Sequence, residues 1–263
     1  MKNRLILCCA IISVVLMAAA SPAVSQTSSG SASSGFRAGF SLGYLSRTLD
    51  FNEEDADTAP KLTSLLASLV LRYDFQPGFS LAVHLGYGSS TFDSLVFRRL
   101  PFSVDFSSEA GAIGGILVGT EIEKSVVGEG TFGLGILGQF FASLGINKEW
   151  DLPGLAAKGS VEGKPVWMKA SVGPVLSYRG WAGITPFLYP RFDYLWGTFE
   201  LDQTVQELKA SEKKEIKSKS QFGLGLGADF EPSTSLRFRA EASLHPYQGG
   251  TDYSFILQTI FTF

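Results

Sequence analysis

The chain of 263 residues is short of charge, of cysteine and of long apolar runs. Each shortage excludes something. Asp, Glu, Lys and Arg make up 18% of the residues, against about 25% in an ordinary soluble domain. Acids outnumber bases, 25 to 22, so no basic excess marks a nucleic-acid binder. The only cysteines are Cys8 and Cys9. No stretch reaches the roughly 18 apolar residues of a membrane-spanning helix. What the chain does have is apolar and aromatic: 45% hydrophobic residues, 21 Phe and 29 Gly. That abundance excludes intrinsic disorder. Mean hydropathy is +0.16, high for a soluble protein.

The N-terminus has the layout of a secretory signal peptide. Lys2 and Arg4 form a positive start, Leu5 to Ala20 an apolar stretch, and Ser21-Pro22-Ala23-Val24-Ser25 a small-residue cleavage region. A membrane anchor is the alternative, but the stretch is short for a span. Leu7 stands before Cys8, where lipidation wants a small residue. The reading is therefore 1–25 signal peptide, 26–35 flexible lead-in of Gln, Thr, Ser, Gly and Ala, and 36–263 a single folded unit. Removing 1–25 removes both cysteines, and with them disulfides, thiol catalysis and cysteine metal sites. It leaves 20 cationic against 25 anionic side chains, a net charge of −5.

The rest alternates with period two, the strand signal. Residues 62–75 set Leu65, Ala67, Leu69, Leu71, Tyr73 and Phe75 against Ser64, Ser68, Arg72 and Asp74. Residues 79–88 set Phe79, Leu81, Val83, Leu85 and Tyr87 against Ser80, Ala82, His84, Gly86 and Gly88. Segments 132–146, 166–178, 184–196, 222–230 and 236–245 repeat the pattern, and 36–48 and 112–123 follow it less cleanly. The apolar faces end in aromatics such as Tyr178, Tyr194 and Trp196, as membrane girdles do, while the opposite faces are small and charged. A soluble sandwich needs no such girdles.

Ten strands emerge: 36–49, 61–75, 79–92, 108–123, 131–147, 165–179, 183–199, 219–230, 234–246 and 251–263. Linkers after odd strands are mostly long and polar: Asp50–Pro60, 93–107, Lys148–Lys164 and Glu200–Ser218, with Pro246–Gly250 the short exception. Linkers after even strands are short turns, such as Gln76-Pro77-Gly78. The fold class predicted is all-β, a transmembrane up-and-down antiparallel β-barrel of about ten strands. Eight or twelve are alternatives, because Phe102, Val104 and Phe106 also sit at period two.

The chain closes with Tyr253, Phe255, Leu257, Thr259, Phe261 and Phe263 on alternate positions. Here it resembles bacterial outer-membrane β-barrel proteins, in which a terminal Phe closing an alternating strand is an assembly signal. Its size and loop plan are similar to the small OmpA-barrel and opacity-protein group, whose members usually have eight strands. The resemblance implies a monomer in the outer membrane of a Gram-negative-type bacterium, with outer-membrane lipid and the barrel-assembly machinery as partners. It implies Tyr253, Phe255, Phe261 and Phe263 as the assembly signal. No cofactor, metal or nucleic acid is expected.

In this register Arg37, Arg47, Arg72, Lys169, Arg179, Arg191, Arg237 and Arg239 face inward. So do Asp74, Glu121, Glu123, Asp193, Asp229, Glu241 and Asp252, with His84 beside them. Buried charges should be paired, and eight against seven permits it. A lumen of paired charges is a plug, and ten strands lie near the side-chain-filled end of the barrel range. The expected function is non-catalytic: membrane integrity, or surface interaction through outer loops. A narrow passive porin is the first alternative.

The second alternative is a rim hydrolase using Glu241, Ser243 and His245, the right types for an activated nucleophile. Alternate strand residues lie about 6.8 Å apart, however, so a Ser243–His245 bond would be strained. The barrel proteases pair Asp-x-His with Asp-x-Asp. Neither histidine here has Asp two residues away, and Asp55-Ala-Asp57 falls in the first loop. Gly133-x-Gly135-x-x-Gly138 matches a dinucleotide fingerprint but lacks its strand–turn–helix context. Asp50, Asn52, Glu54, Asp55 and Asp57 lack the central Gly and final Glu of an EF-hand loop. The mixed run Glu207 to Lys219 reads as a solvated outer loop.

Overall fold

The computed structural model describes residues 35–50, 59–76, 78–106, 110–127, 130–151 and 159–262. The expected signal peptide, the lead-in up to residue 34, Asn52 to Asp57 of the acidic linker, and Phe263 lie outside them. The strands are β1 (Gly35–Thr48), β2 (Lys61–Gln76), β3 (Phe79–Asp93), β4 (Leu95–Phe97), β5 (Val104–Phe106), β6 (Ile113–Val127) and β7 (Phe132–Gly145). Then come β8 (Lys148–Asp151), β9 (Gly159–Tyr178), β10 (Ile184–Val205), β11 (Leu208–Lys217), β12 (Phe222–Ser233), β13 (Leu236–Tyr247) and β14 (Gly250–Thr262).

All pairings are antiparallel. The circuit runs β1, β2, β3, β6, β7, β9, β10, β12, β13, β14 and closes where β14 meets β1, from Arg37↔Thr262 to Ser46↔Tyr253. It is a barrel of ten positions, not eight or twelve. Short turns join strands at the end that holds both described termini; Gly78 makes one of them at φ +82°, a conformation open to Gly at no steric cost. Longer connections lie at the opposite, loop end.

β11 and β12 are one strand interrupted by a bulge. Trp196 faces Lys217 and Phe192 faces Phe222, so one extra residue is inserted opposite β10. β8 likewise prolongs β7 against β9. These extensions correct the linker expectations. Glu200–Ser218 holds the upper part of β10 and β11, turning at Gln206 (φ 56°), and Glu207 to Lys219 is mostly strand rather than loop. Lys148–Lys164 contains β8 and the start of β9, and 93–107 contains the separate β4–β5 hairpin. Together β8, β9, β10 and β11 rise as a wall above the rest of the rim.

Outward faces carry the apolar residues: Phe40, Leu65, Leu85, Phe255 and Leu257 are each about half exposed. A continuous band of that kind far exceeds the apolar patches tolerated in water, and hydrocarbon is the solvent it suits. Two aromatic rings edge it. At the turn end Phe36, Tyr73, Phe75 and Phe79 touch in sequence, as do Phe132, Tyr178 and Trp181. Nearer the loop end Tyr44 stacks on Tyr253, Tyr194 on Trp196, and Phe140 meets Trp196. Phe36 and Tyr44 are eight residues apart on β1. At about 3.4 Å per residue and a tilt near 40°, the rings stand about 20 Å apart, close to the ~25 Å apolar band of outer-membrane barrels.

Candidate functional site

Among the described residues, the buried polar chemistry gathers in the lumen, which is filled in three layers. At the turn end, Arg72 donates to Glu123 (2.8 Å) and lies 3.6 Å from Glu121. Arg239 reaches Glu121 and Glu123 at 3.5 Å and donates to Asp229 at 3.0 Å. Arg237 donates to Asp229 at 2.6 Å, and Asp74 lies 2.9 Å from Arg37. Gln139 donates to Glu121 and accepts from Ser171, its facing residues on the neighbouring strands, and so ties β6, β7 and β9 side by side. Arg179 sits at the turn-end mouth, beside Gly133.

The middle layer is built on Asp193, which is 0% exposed. Arg47 donates to its Oδ1 at 3.0 Å, and Lys169, Arg191 and His245 gather around Oδ2 at 3.3, 3.4 and 3.3 Å. Arg191 also donates to Glu241 at 2.6 Å and lies over the Tyr189 ring. Arg47 makes a second bond to Ser220 O at the β11–β12 bulge, so the bulge brings a carbonyl to a buried guanidinium. Asp252 accepts from Thr48 N and Oγ1 instead of a cation. His84 lies apart, 3.3 Å from Ser68 Oγ and edge-on to Phe141.

The outer layer is apolar. The β4–β5 hairpin folds inward and places Leu95, Phe97, Leu100 and Phe106 among Leu62, Phe92, Trp167, Leu195, Phe199, Leu201 and Ile216. Phe199 touches Phe92, Phe97 and Phe106. Polar groups at the rim latch the hairpin to the wall. Gln203 accepts from Phe102 N at 2.9 Å and donates to Phe102 O at 3.0 Å. Glu212 accepts from Arg99 N at 2.7 Å, and Lys148 and Trp150 donate to Ala110 O. A cavity lined by Leu45, Leu117, Phe141, Trp167 and Lys169 lies where this cork meets the charged layer.

The expected hydrolase trio is brought together on β13, but not as a nucleophile and base. Ser243 Oγ donates to Glu241 at 3.0 Å, while His245 turns to Asp193. Ser243 is 1% exposed and His245 0%, beneath the cork rather than at the rim. The glycine motif is split: Gly133 and Gly135 face the lumen from β7 and Gly138 faces outward, so no phosphate cradle forms. No group of three or more His, Cys, Asp or Glu placed to hold a metal occurs among the described residues.

Comparisons with known proteins agree with the architecture. The outer membrane protease OmpT of Escherichia coli superposes with a TM-score of 0.51 at 11% identity, over 90% of this chain and 99% of that one. The chain has the fold of an outer-membrane β-barrel. AlkL matches with a TM-score of 0.40 at 10% identity, over 92% and 96% of the two chains, and the attachment invasion locus protein Ail of Yersinia pestis with 0.31 at 13%, over 88% and 99%. No protein-family profile and no curated protein sequence matches. At 11% identity the likeness to OmpT is one of fold alone.

The cork is the part that the alternation did not disclose. Period two continues into 198–205, but its polarity flips: Glu200 and Asp202 face out, Phe199 and Leu201 in. A phase that reverses just past Trp196 marks a strand leaving the apolar band, and that signal was present in the sequence.

Proposed function

We propose that this chain is an exported, monomeric, non-catalytic barrel of a Gram-negative-type outer membrane whose work is done by its loop end and not through its lumen. The observation that carries the reading is the triple closure of the lumen. Two layers of charged side chains and an apolar cork stand across the lumen on this reading, and a barrel filled in that way is expected to be stiff and silent. The raised wall then presents a rigid polar surface above the membrane. Its partners on this reading are the lipid around the apolar band and, during biogenesis, the assembly machinery that meets the outward aromatics of β14, Tyr253, Phe255 and Phe261.

The experiment is single-channel recording of the refolded protein in a planar bilayer, with folding checked by heat-dependent migration on SDS gels. Silence is expected. Stable discrete steps would overturn the closed-lumen reading and put the narrow pore in its place.

A further inference from the structure

The cavity under the cork has about 30 Å³ of free volume, and Leu45, Leu66, Leu117 and Trp167 form its apolar side. Its other side is polar. Ser41 and Ser68 are register partners on β1 and β2, Ser254 comes from β14, and Lys169 comes from β9. Among the described residues Lys169 is the one charged group in the lining. Its register neighbours are Phe141 on β7 and Leu195 on β10, so neither adjacent strand sets an acceptor beside its ammonium. Its ion-pair partner is Asp193, whose Oδ2 lies 3.3 Å from Nζ and is shared with Arg191 and His245. An ammonium carries three donors, and one shared oxygen does not occupy them all.

Ser254 gives a second, independent sign. It is 3% exposed, and its Oγ has no hydrogen-bond partner among the described residues. Buried hydroxyls are nearly always bonded, and this one lines the same cavity as the ammonium. Its polar neighbours are engaged elsewhere: Trp167 Nε1 donates to Ser90 Oγ at 3.1 Å, and Ser68 Oγ lies 3.3 Å from His84 Nδ1. The charge of the lining selects what fits. A cation would meet Lys169 rather than a carboxylate, and a wholly apolar guest would leave ammonium and hydroxyl unbonded. A monovalent anion takes hydrogen bonds from both, and the apolar side strengthens the attraction. The volume admits an ion of chloride or bromide size and little more, since a water molecule alone needs about 10–15 Å³.

We propose that this cavity is a binding site for one small monovalent anion of halide size, held by Lys169 Nζ and by the hydroxyls of Ser254 and Ser41. Charge-assisted hydrogen bonds are the strong ones. An ion held by them ties β9 to β14 and β1, the two strands whose pairing closes the barrel. The site is independent of what the loop end binds and of whether the lumen conducts, so its test is read separately from both.

The probe is bromide. The protein is refolded in sodium bromide and, separately, in sodium methanesulfonate at equal ionic strength, an anion too large for the cavity. At fixed urea the folded-to-unfolded ratio in bromide should exceed that in methanesulfonate about twofold when bromide equals its dissociation constant, and about tenfold at about nine times that concentration. Crystals grown from the bromide sample should show an anomalous peak within hydrogen-bond reach of Lys169 Nζ and Ser254 Oγ. Lys169→Met removes the charge, while Ser254→Val keeps the charge and fills the space. Both should abolish the bromide dependence and the peak, and Ser254→Val carries the test if Lys169→Met does not fold. Equal ratios in the two salts, bromide dependence that survives either variant, or the lack of a peak would overturn the proposal. The cavity would then hold water, and bromide bound elsewhere would be an adventitious ion only.

Discussion

The two ends of the lumen are filled by opposite chemistry. Toward the turn end, and up to Asp193, the interior is mostly guanidinium and carboxylate groups, set around a small apolar cluster of Leu137, Val175, Phe187 and Tyr189. Toward the loop end it is mostly Phe, Leu and Trp, with the buried Glu212–Lys214 pair at its margin. The first kind of filling is specific but fragile, because each ion was taken out of water at a cost only its partner offsets. The second is tolerant of detail but adds up: each large apolar side chain removed from water contributes about 1.5–3 kcal/mol. The division follows the membrane. Within the apolar band the outward positions are claimed by lipid-facing residues, so the charged residues are left to the inward positions, beside a few apolar ones such as Leu137 and Phe187. Above the band water claims the outer face, and the apolar residues move inside.

The comparison breaks first at Asp193. Asp193→Ala leaves Arg47, Lys169 and Arg191 buried around a lost carboxylate, and removal of one partner from a buried ionic cluster costs about 3–5 kcal/mol. Urea titration, with the folded fraction read from unheated gels, should show that loss or no folded band at all. A shift under about 1 kcal/mol would mean that water already reaches this layer.

Phe199→Ala strikes the other filling. Truncating a buried Phe costs about 3 kcal/mol or more where the site cannot collapse, but the hairpin of β4 and β5 can settle, so the loss should stay local. Protease cleavage between 95 and 106 should rise while the heat-shifted band and the silent bilayer persist. Conductance in this variant would show that the cork alone closes the lumen and that the charged layers do not. Gln203→Ala sits between the two chemistries, since it removes two bonds that hold Phe102 over the apolar cluster. About 1–2 kcal/mol is expected, again seen as easier cleavage of the hairpin and not as lower barrel stability.

Why the sequence disclosed one filling and hid the other follows from the same division. The charged residues stood out because each is an anomaly on an otherwise apolar strand: Arg72 among leucines, Arg191 and Asp193 alternating with Phe192 and Tyr194. Their partners did not, since alternation tells which face a residue occupies but not which strand lies across the lumen. His245 faces Asp252 in register yet reaches Asp193. The cork was hidden because strands are recognised here by apolar residues facing out. Past Trp196 that rule reverses, and Thr198 to Val205 resembles a polar loop. The bulge at 218–221 added to the concealment by ending one phase and starting another.

The smallest expected effect separates structure from chemistry on β13. Ser243 contributes one bond to Glu241, which keeps its 2.6 Å partner Arg191 when the hydroxyl is gone. Ser243→Ala should therefore cost about 1 kcal/mol, well below Asp193→Ala in the same layer. Its value lies in what else is measured. If the refolded protein cleaves a lipid ester or a peptide and Ser243→Ala abolishes cleavage at unchanged stability, Ser243 is a nucleophile and the cork must open to admit substrate. If the variant differs from the parent only by its small stability loss, Ser243 is one more hydroxyl satisfying a buried carboxylate, and the wall above the membrane remains the place where this barrel acts.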